Sequence, residues 1–345
     1  MKSESRDNPH ARSFRVGKLP PEQLHRLLGR LTANDPRVIV GARIGEDAAV
    51  IEMGDRYLVA KTDPISFATE KIGWYCVHIN ANDVAVMGAK PKWFLAAVLL
   101  PEEGTDARLV EEIFTDITAA CRELGVTLCG GHTEITHGLD RPIVVGQMLG
   151  EVAKESLLRK ESLEPGDRIV LTRGVAIEGT AVIAREKPEE LTGKVAEAVV
   201  EQARRLLFEP GISVVEAAQL AAATGAAKAM HDPTEAGALA GLLEMAVAAG
   251  RGIRVLADQI PVLPETQQIC AALGLDPLAL LASGALLIGV SAEKTQVVRQ
   301  ALETRGIPSA VVAEMRPAQE GYKVERGGKM EELVFPERDE LAKLF

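Results

Sequence analysis

Apolar positions recur along this chain with two distinct periods. Residues 22–32 place Leu24, Leu27, Leu28 and Leu31 three or four apart behind Pro20 and Pro21, which predicts a short helix packed on the main body. Residues 37–40, 48–53 and 57–61 are short β-favouring runs, and the Gly54-Asp55 pair between the last two predicts a hairpin. Helical spacing returns over 71–87 and again over 105–124, where Leu109, Ile113, Ile117, Ala120 and Leu124 form one stripe and Gly125 supplies the stop. Strands are predicted at 94–100, 126–129 and 143–149. Residues 151–167 are charged, lack a period and end in Glu164-Pro165-Gly166-Asp167, so the domain boundary is placed there. Beyond it, strands at 168–172, 253–256 and 285–290 alternate with helices at 195–207, 213–223, 235–249 and 292–304. Two α/β domains are expected.

The length of 345 residues agrees with two domains of ordinary size. With 39 basic and 49 acidic residues the net charge is −10, and aromatics make up only 3% of the chain. That balance predicts no nucleic-acid partner, because both phosphate attraction and base stacking are poorly served. The longest uncharged apolar run, 278–290, has 13 residues and is interrupted by Ser283 and Gly284. A membrane span needs about 20, so no membrane segment is expected. Cys76, Cys121, Cys129 and Cys270 have no C-x-x-C spacing, and the first fifteen residues have no apolar core, so the expectation is a reduced, cytoplasmic protein.

Neither G-x-x-x-x-G-K-[ST] nor G-x-G-x-x-G occurs, so a nucleotide would need another device. What the chain offers is a series of carboxylates and amides immediately after apolar runs: Glu46-Asp47, Thr62-Asp63, Asn80 to Asp83, Gly130 to Glu134 and His231 to Thr234. Taken singly, each of them reads as a turn or helix cap. Asn80 and Asp83 stand out, because positions three apart share a helix face and this face interrupts a segment holding Ile72, Cys76, Ile79 and Met87. If Asp47, Asp63 and Asp83 converge, each like-charge pair at ~4 Å costs about 4 kcal/mol at an effective dielectric of 20. A divalent cation offsets that cost. An all-oxygen set favours Mg²⁺ with phosphate oxygens over Zn²⁺. His132-x-Glu134 also opens the zinc deaminase signature, which makes a zinc hydrolase a rival reading, but the P-C-x-x-C half is missing.

Taken in order, GEDAAVI (45–51), KTD (61–63), NANDVAVMGAKP (80–91), CGGHTE (129–134), PGDRIVLT (165–172) and MHDPTEAG (230–237) resemble the aminoimidazole ribonucleotide synthase (AIR synthase) superfamily. Residues 260–284 resemble its hydrogenase-maturation branch. The resemblance implies an α/β (α+β) fold of two domains. The N-terminal one joins a partner subunit in an intersubunit β-barrel, and ATP lies in the cleft between the two. It implies domains at 37–160 and 161–320, an N-terminal extension and helix at 1–36 and a tail at 321–345. It also implies ATP and Mg²⁺ as cofactors, Asp47, Asp63, Asp83 and Asp232 as metal ligands, and Asn80, the Gly130-Gly131 turn, His132 and Thr133 beside the phosphates. Lys61, Asp83 and His132 are the expected catalytic groups. The shared chemistry so implied is activation of an oxygen by phosphorylation.

Three positions depart from the branch it resembles. The last cysteine is Cys270, so the C-terminal substrate-carrying cysteine has no counterpart in this sequence; His132 stands where an acid is usual; and Glu235-Ala236 replace Arg-Gly. The expectation is a homodimeric ATP- and Mg²⁺-dependent enzyme acting on a small-molecule or partner-delivered acceptor. The alternative is a non-catalytic nucleotide-binding partner in a maturation complex. Leu333, Val334, Phe335, Leu341, Leu344 and Phe345 predict a tail that packs on the body.

Overall fold

The computed structural model describes residues 19, 21–30, 35–43, 45–65, 70–336 and 338–344. The polar lead at 1–15, the end of the first predicted helix at 31–32 and Phe345 lie outside the described residues. The N-terminal half runs α1 (Pro21–Leu28), β1 (Val38–Val40), β2 (Ala49–Met53), β3 (Arg56–Ile65), α2 (Ile72–Val86), β4 (Lys90–Pro101), α3 (Ala107–Leu124), β5 (Thr127–Thr136) and β6 (Ile143–Ala153). The C-terminal half runs β7 (Arg168–Thr172), α4 (Ile177–Glu186), α5 (Pro188–Leu191), α6 (Glu197–Arg205), α7 (Val215–Ala223), β8 (Ala227–His231), α8 (Gly237–Ala249), β9 (Gly252–Leu256), α9 (Pro264–Leu273), β10 (Leu287–Val290), α10 (Thr295–Glu303), β11 (Ser309–Arg316), β12 (Tyr322–Arg326) and β13 (Lys329–Glu332).

The first six strands form one sheet in the order β1-β2-β3-β6-β4-β5, and the other seven a second sheet in the order β13-β12-β9-β11-β7-β10-β8. The predicted hairpin is present: β2 and β3 pair antiparallel from Ala49↔Ala60 to Met53↔Arg56. Residues 322–332, assigned to the tail from sequence, instead extend the second sheet as β12 and β13.

The helix-facing side of the first sheet carries Val59, Phe94, Val98, Val144 and Met148, all buried under α2 and α3. Helix α3 buries Ile113, Ile117 and Ala120 of its predicted stripe and begins one residue after Asp106, whose carboxylate caps Leu109 N at 2.8 Å. The other side carries Leu95, Ala97, Leu99, Val145 and Leu149, partly exposed, and no described helix packs over it. Helix α2 is buried along its whole length because it lies between this sheet and the C-terminal half, touching α7 and β8. One apolar core therefore runs through both halves, from Val50 and Val59 to Ile183, Leu207 and Leu302; a second fills the space between the other face of the second sheet and α8. No single described helix is long and apolar enough to cross a membrane.

Candidate metal and phosphate site

Strand β3 and helix α2 supply the first half of the site. Alternation along β3 puts Val59, Lys61 and Asp63 on the helix-facing side. There Lys61 Nζ lies 3.1 Å from Asp83 Oδ2 and 3.4 Å from Asp63 Oδ2. Asn80, one turn before Asp83, donates to the Cys76 carbonyl at 2.8 Å and the Asp63 carbonyl at 3.2 Å, which fixes the strand against the helix. That contact requires Gly146 on β6, since a Cβ there would come within 2.4 Å of Asn80 Nδ2.

The second half comes from Asp47, at the mouth of β2, and from the end of β8. Asp47 Oδ2 receives Lys160 Nζ at 2.5 Å and its Oδ1 meets His231 Nδ1 at 2.7 Å, while His231 Nε2 meets Glu244 on α8 at 2.9 Å. All of Asp47, Lys160, His231 and Asp232 are buried. Burial alone would push the His231 proton off, but carboxylates on both ring nitrogens hold its pKa up to about 9. Burial likewise works against the Asp47 carboxylate, and His231 and Lys160 outweigh it, holding Asp47 well below the usual range.

Asp83 and Asp232 are in the opposite position. Burial, together with repulsion from Asp47 and Asp63, pushes Asp83 up to about 7, although Lys61 pulls the other way. Lys61 is shared between two carboxylates, so neither receives a full counter-charge. Asp232 is raised well above the carboxylate range by burial and by the charges of Asp83 and Asp47. Both of its oxygens are buried without a hydrogen-bond partner. Among the described residues, with every group ionised, the cluster would set five carboxylates (Asp47, Asp63, Asp83, Asp232, Glu244) against three cations (Lys61, Lys160, His231), and 5 − 3 would leave two negative charges, an excess that pushes Asp83 and Asp232 toward their protonated forms when no cation is bound. A divalent cation bound by oxygen matches that excess in charge and in donor type. Asp47, His231 and Asp232 also approach within 4.8 Å of one another. Both nitrogens of protonated His231 are committed to carboxylates, so the ring has no lone pair for a metal.

The four residues expected beside the phosphates on CGGHTE lie elsewhere. Gly130 and Gly131 are not a turn: β5 continues through them to Thr136, as the outer strand beside β4. Gly131 is required because a Cβ would fall 2.0 Å from the Ala96 carbonyl oxygen. The register Asp63↔Gly146, Gly146↔Ala96, Ala96↔Gly131 puts three interstrand steps, about 14 Å, between Asp63 and Gly131. His132 points to the opposite, helix-free side of the sheet and pairs with Glu134 at 3.0 Å; Thr133 is exposed on the edge. Within this chain, then, Asp47, Lys61, Asp63, Asn80, Asp83 and Asp232 converge, and Gly130, Gly131, His132 and Thr133 do not join them. His132 and His137 are each paired with an exposed carboxylate, and among the described residues no zinc-type set gathers around them.

Two sequence families match this chain: AIR synthase related protein, N-terminal domain, over residues 45–152, and AIR synthase related protein, C-terminal domain, over residues 164–325. The chain belongs to the AIR synthase related family. Its relatives include a carbamoyl dehydratase HypE of Rhizobium leguminosarum bv. viciae, 30% identical over 268 residues that cover 75% of this chain and 73% of that protein. Among solved structures it resembles a hydrogenase maturation protein HypE in complex with ATP, with a TM-score of 0.67, 23% identity and coverage of 92% and 96% of the two chains. It also resembles a chain of a HypE–HypF complex, with a TM-score of 0.71, 21% identity and coverage of 88% and 97%. The fold of this AIR synthase related chain is thereby shared with both.

Sequence reasoning misses several groups in this AIR synthase related site. Lys160 sits in the charged stretch assigned to the domain boundary, and nothing in its surroundings marks it as buried. His231 is inside the MHDPTEAG motif yet carries no signal separating it from a loop histidine. Glu178, in the first turn of α4, is buried, and that burial pushes its carboxyl up to about 7 with Asp339, Glu235 and Asp63 adding repulsion. Asp339 stands outside the cluster and ties the C-terminal segment to the body, accepting from Ala236 N at 2.6 Å and Leu281 N at 3.3 Å.

Proposed function

We propose that this chain is an ATP- and Mg²⁺-dependent phosphoryl-transfer enzyme that activates an oxygen of a small-molecule or partner-delivered acceptor. The observation that carries the reading is Asp232: a carboxylate buried with neither oxygen partnered, facing Asp83 from the other half of the molecule. Such a group is stable only if it is protonated or bound to a cation. Asp63, Asp83 and Asp232 would hold Mg²⁺, with Asp47 kept ionised behind them by Lys160 and His231. Bound Mg²⁺ supplies neutralisation of the triphosphate. Lys61 is placed to move its ammonium from Asp83 and Asp63 to a phosphate oxygen once the carboxylates face a metal. The relative solved with ATP supports the nucleotide, and the HypE–HypF complex supports an acceptor delivered by a partner protein.

The enzyme is proposed to be a homodimer. The partly exposed apolar face of the first sheet and the unpaired edge of β5 support this, because a second copy would cover both. The apolar runs at 48–53 and 57–61, which suggest a free edge in the sequence, are internal strands; the edges are the three-residue β1 and the ten-residue β5, and β5 is the long one that needs cover. Calorimetry with ATP tests the metal dependence. Binding should be strong with Mg²⁺ and at least about tenfold weaker in EDTA, because an acidic cluster repels a triphosphate until a cation bridges them. Equal affinity in EDTA would refute the site. ATP binding without turnover against any acceptor would leave the nucleotide-binding-partner reading in its place.

A further inference from the structure

Asn82 precedes Asp83 on α2, and a rotation of about 100° per residue sends the two side chains in different directions. Asp83 faces Lys61 on β3. Asn82 instead reaches the C-terminal half, donating from Nδ2 to the Ile212 carbonyl at 2.9 Å and accepting from Val214 N at 2.8 Å. Its side-chain amide thus pairs with a loop as another peptide group would, and it is fully buried in doing so. The same loop is held from its own half by Arg173, just past β7, which donates to the Gly211 carbonyl at 3.1 Å and the Ser213 carbonyl at 2.9 Å. Two side chains, one from each half, therefore occupy the polar groups of four successive residues, 211–214. The loop leads into α7 and then into β8, whose end carries His231 and Asp232.

Burying an amide and a guanidinium here is costly; the burial lowers the Arg173 pKa from its ordinary value. Apolar contact between α2 and α7 would join the halves more cheaply, but it is non-directional and leaves α2 free to slide along its axis. Two hydrogen bonds of fixed direction remove that freedom.

We propose that Asn82 is a positioning residue that sets the spacing of Asp83 against Asp232 across the boundary between the halves, acting through loop 211–214. The proposal rests on the metal-and-phosphate reading of the cluster and adds to it that the affinity for the cation depends on a residue that does not touch it. The probe is Mn²⁺, titrated into the full chain with ATP and, because ATP itself chelates the ion, into ATP alone, and followed by the electron paramagnetic resonance of the free ion. Asn82→Ala is expected to weaken Mn²⁺ binding about tenfold. Ile269→Ala, a fully buried position on α9, serves as the stability control: it should lower the melting temperature and leave Mn²⁺ affinity unchanged. Arg173→Met loosens the same loop from the other side and should reproduce the Asn82→Ala shift, which keeps the test alive if Asn82→Ala does not fold. A folded Asn82→Ala chain that binds Mn²⁺ like the parent overturns this proposal alone. A parent chain that binds no Mn²⁺ beyond what ATP alone takes up overturns the metal reading and this proposal with it.

Discussion

Replacing Asp83 with asparagine should stabilise the metal-free protein, and only above a definite pH. The carboxyl titrates at about 7 in the folded chain against 3.8 for the ordinary group, so between those values the folded state binds the extra proton. Stability therefore falls as pH rises through that window, by about 1.4 kcal/mol per unit, and the whole shift corresponds to about 4 kcal/mol lost by about pH 8. An asparagine at this position would not titrate and would escape that loss, which is already net of the attraction between the ionised carboxylate and Lys61. The net expectation for Asp83→Asn in EDTA at about pH 8 is a gain of up to about 4 kcal/mol, vanishing near pH 4, where the folded parent is neutral as well. Thermal unfolding followed by circular dichroism at both pH values reads this directly. Adding Mg²⁺ should stabilise the parent more than the variant, because the cation meets one carboxylate fewer, and ATP turnover should be lost. A variant that is less stable than the parent in EDTA at about pH 8, yet still turns over ATP, would refute the account of Asp83 as a strained ligand.

Two further outcomes follow from the packing. Deleting residues 337–345 should lower the melting temperature while sparing ATP turnover, because Leu341 is buried and Asp339 and Glu340 bind the main-chain N–H groups of Ala236, Leu281 and Asp276; loss of ATP turnover in a stable truncation would place that segment in the chemistry. Light scattering at micromolar concentration should give the mass of a dimer, and a charged substitution in the uncovered sheet face, Leu95→Glu, should shift it to a monomer; a parent chain that is monomeric refutes the covering role of a second copy.

Helices with one clear apolar stripe are legible in the sequence, as α3 shows, since periodicity and a glycine stop report burial on one side. Helix α2 is legible because its amides and carboxylate interrupt an apolar run, but the direction each one faces is not: Asn80 turns to β3 and Asn82 to the other half of the molecule. Strand β5 reads as ending at Cys129 because two glycines and a polar run resemble a turn. The physical reason for Gly131 is a neighbouring carbonyl on β4, a nonlocal contact that leaves no local trace. The acidic half of the site is legible, because like charges need compensation wherever they meet. Of the compensating cations Lys61 is legible in its motif and Lys160 is not, since it becomes a counter-ion only when the connector folds back over Asp47.

That fold-back makes the two family domains poor building blocks. Expressed alone, the first 152 residues would keep Asp47 without either of its cations and would bare the flank of α2 that α7 and β8 now cover; the remainder would carry a protonated His231 with only Glu244 to answer it. Grafting one half onto a foreign partner would need a matched ammonium in the connector and a matched amide acceptor in loop 211–214. The unit that can be exchanged, or inherited, is the whole pair.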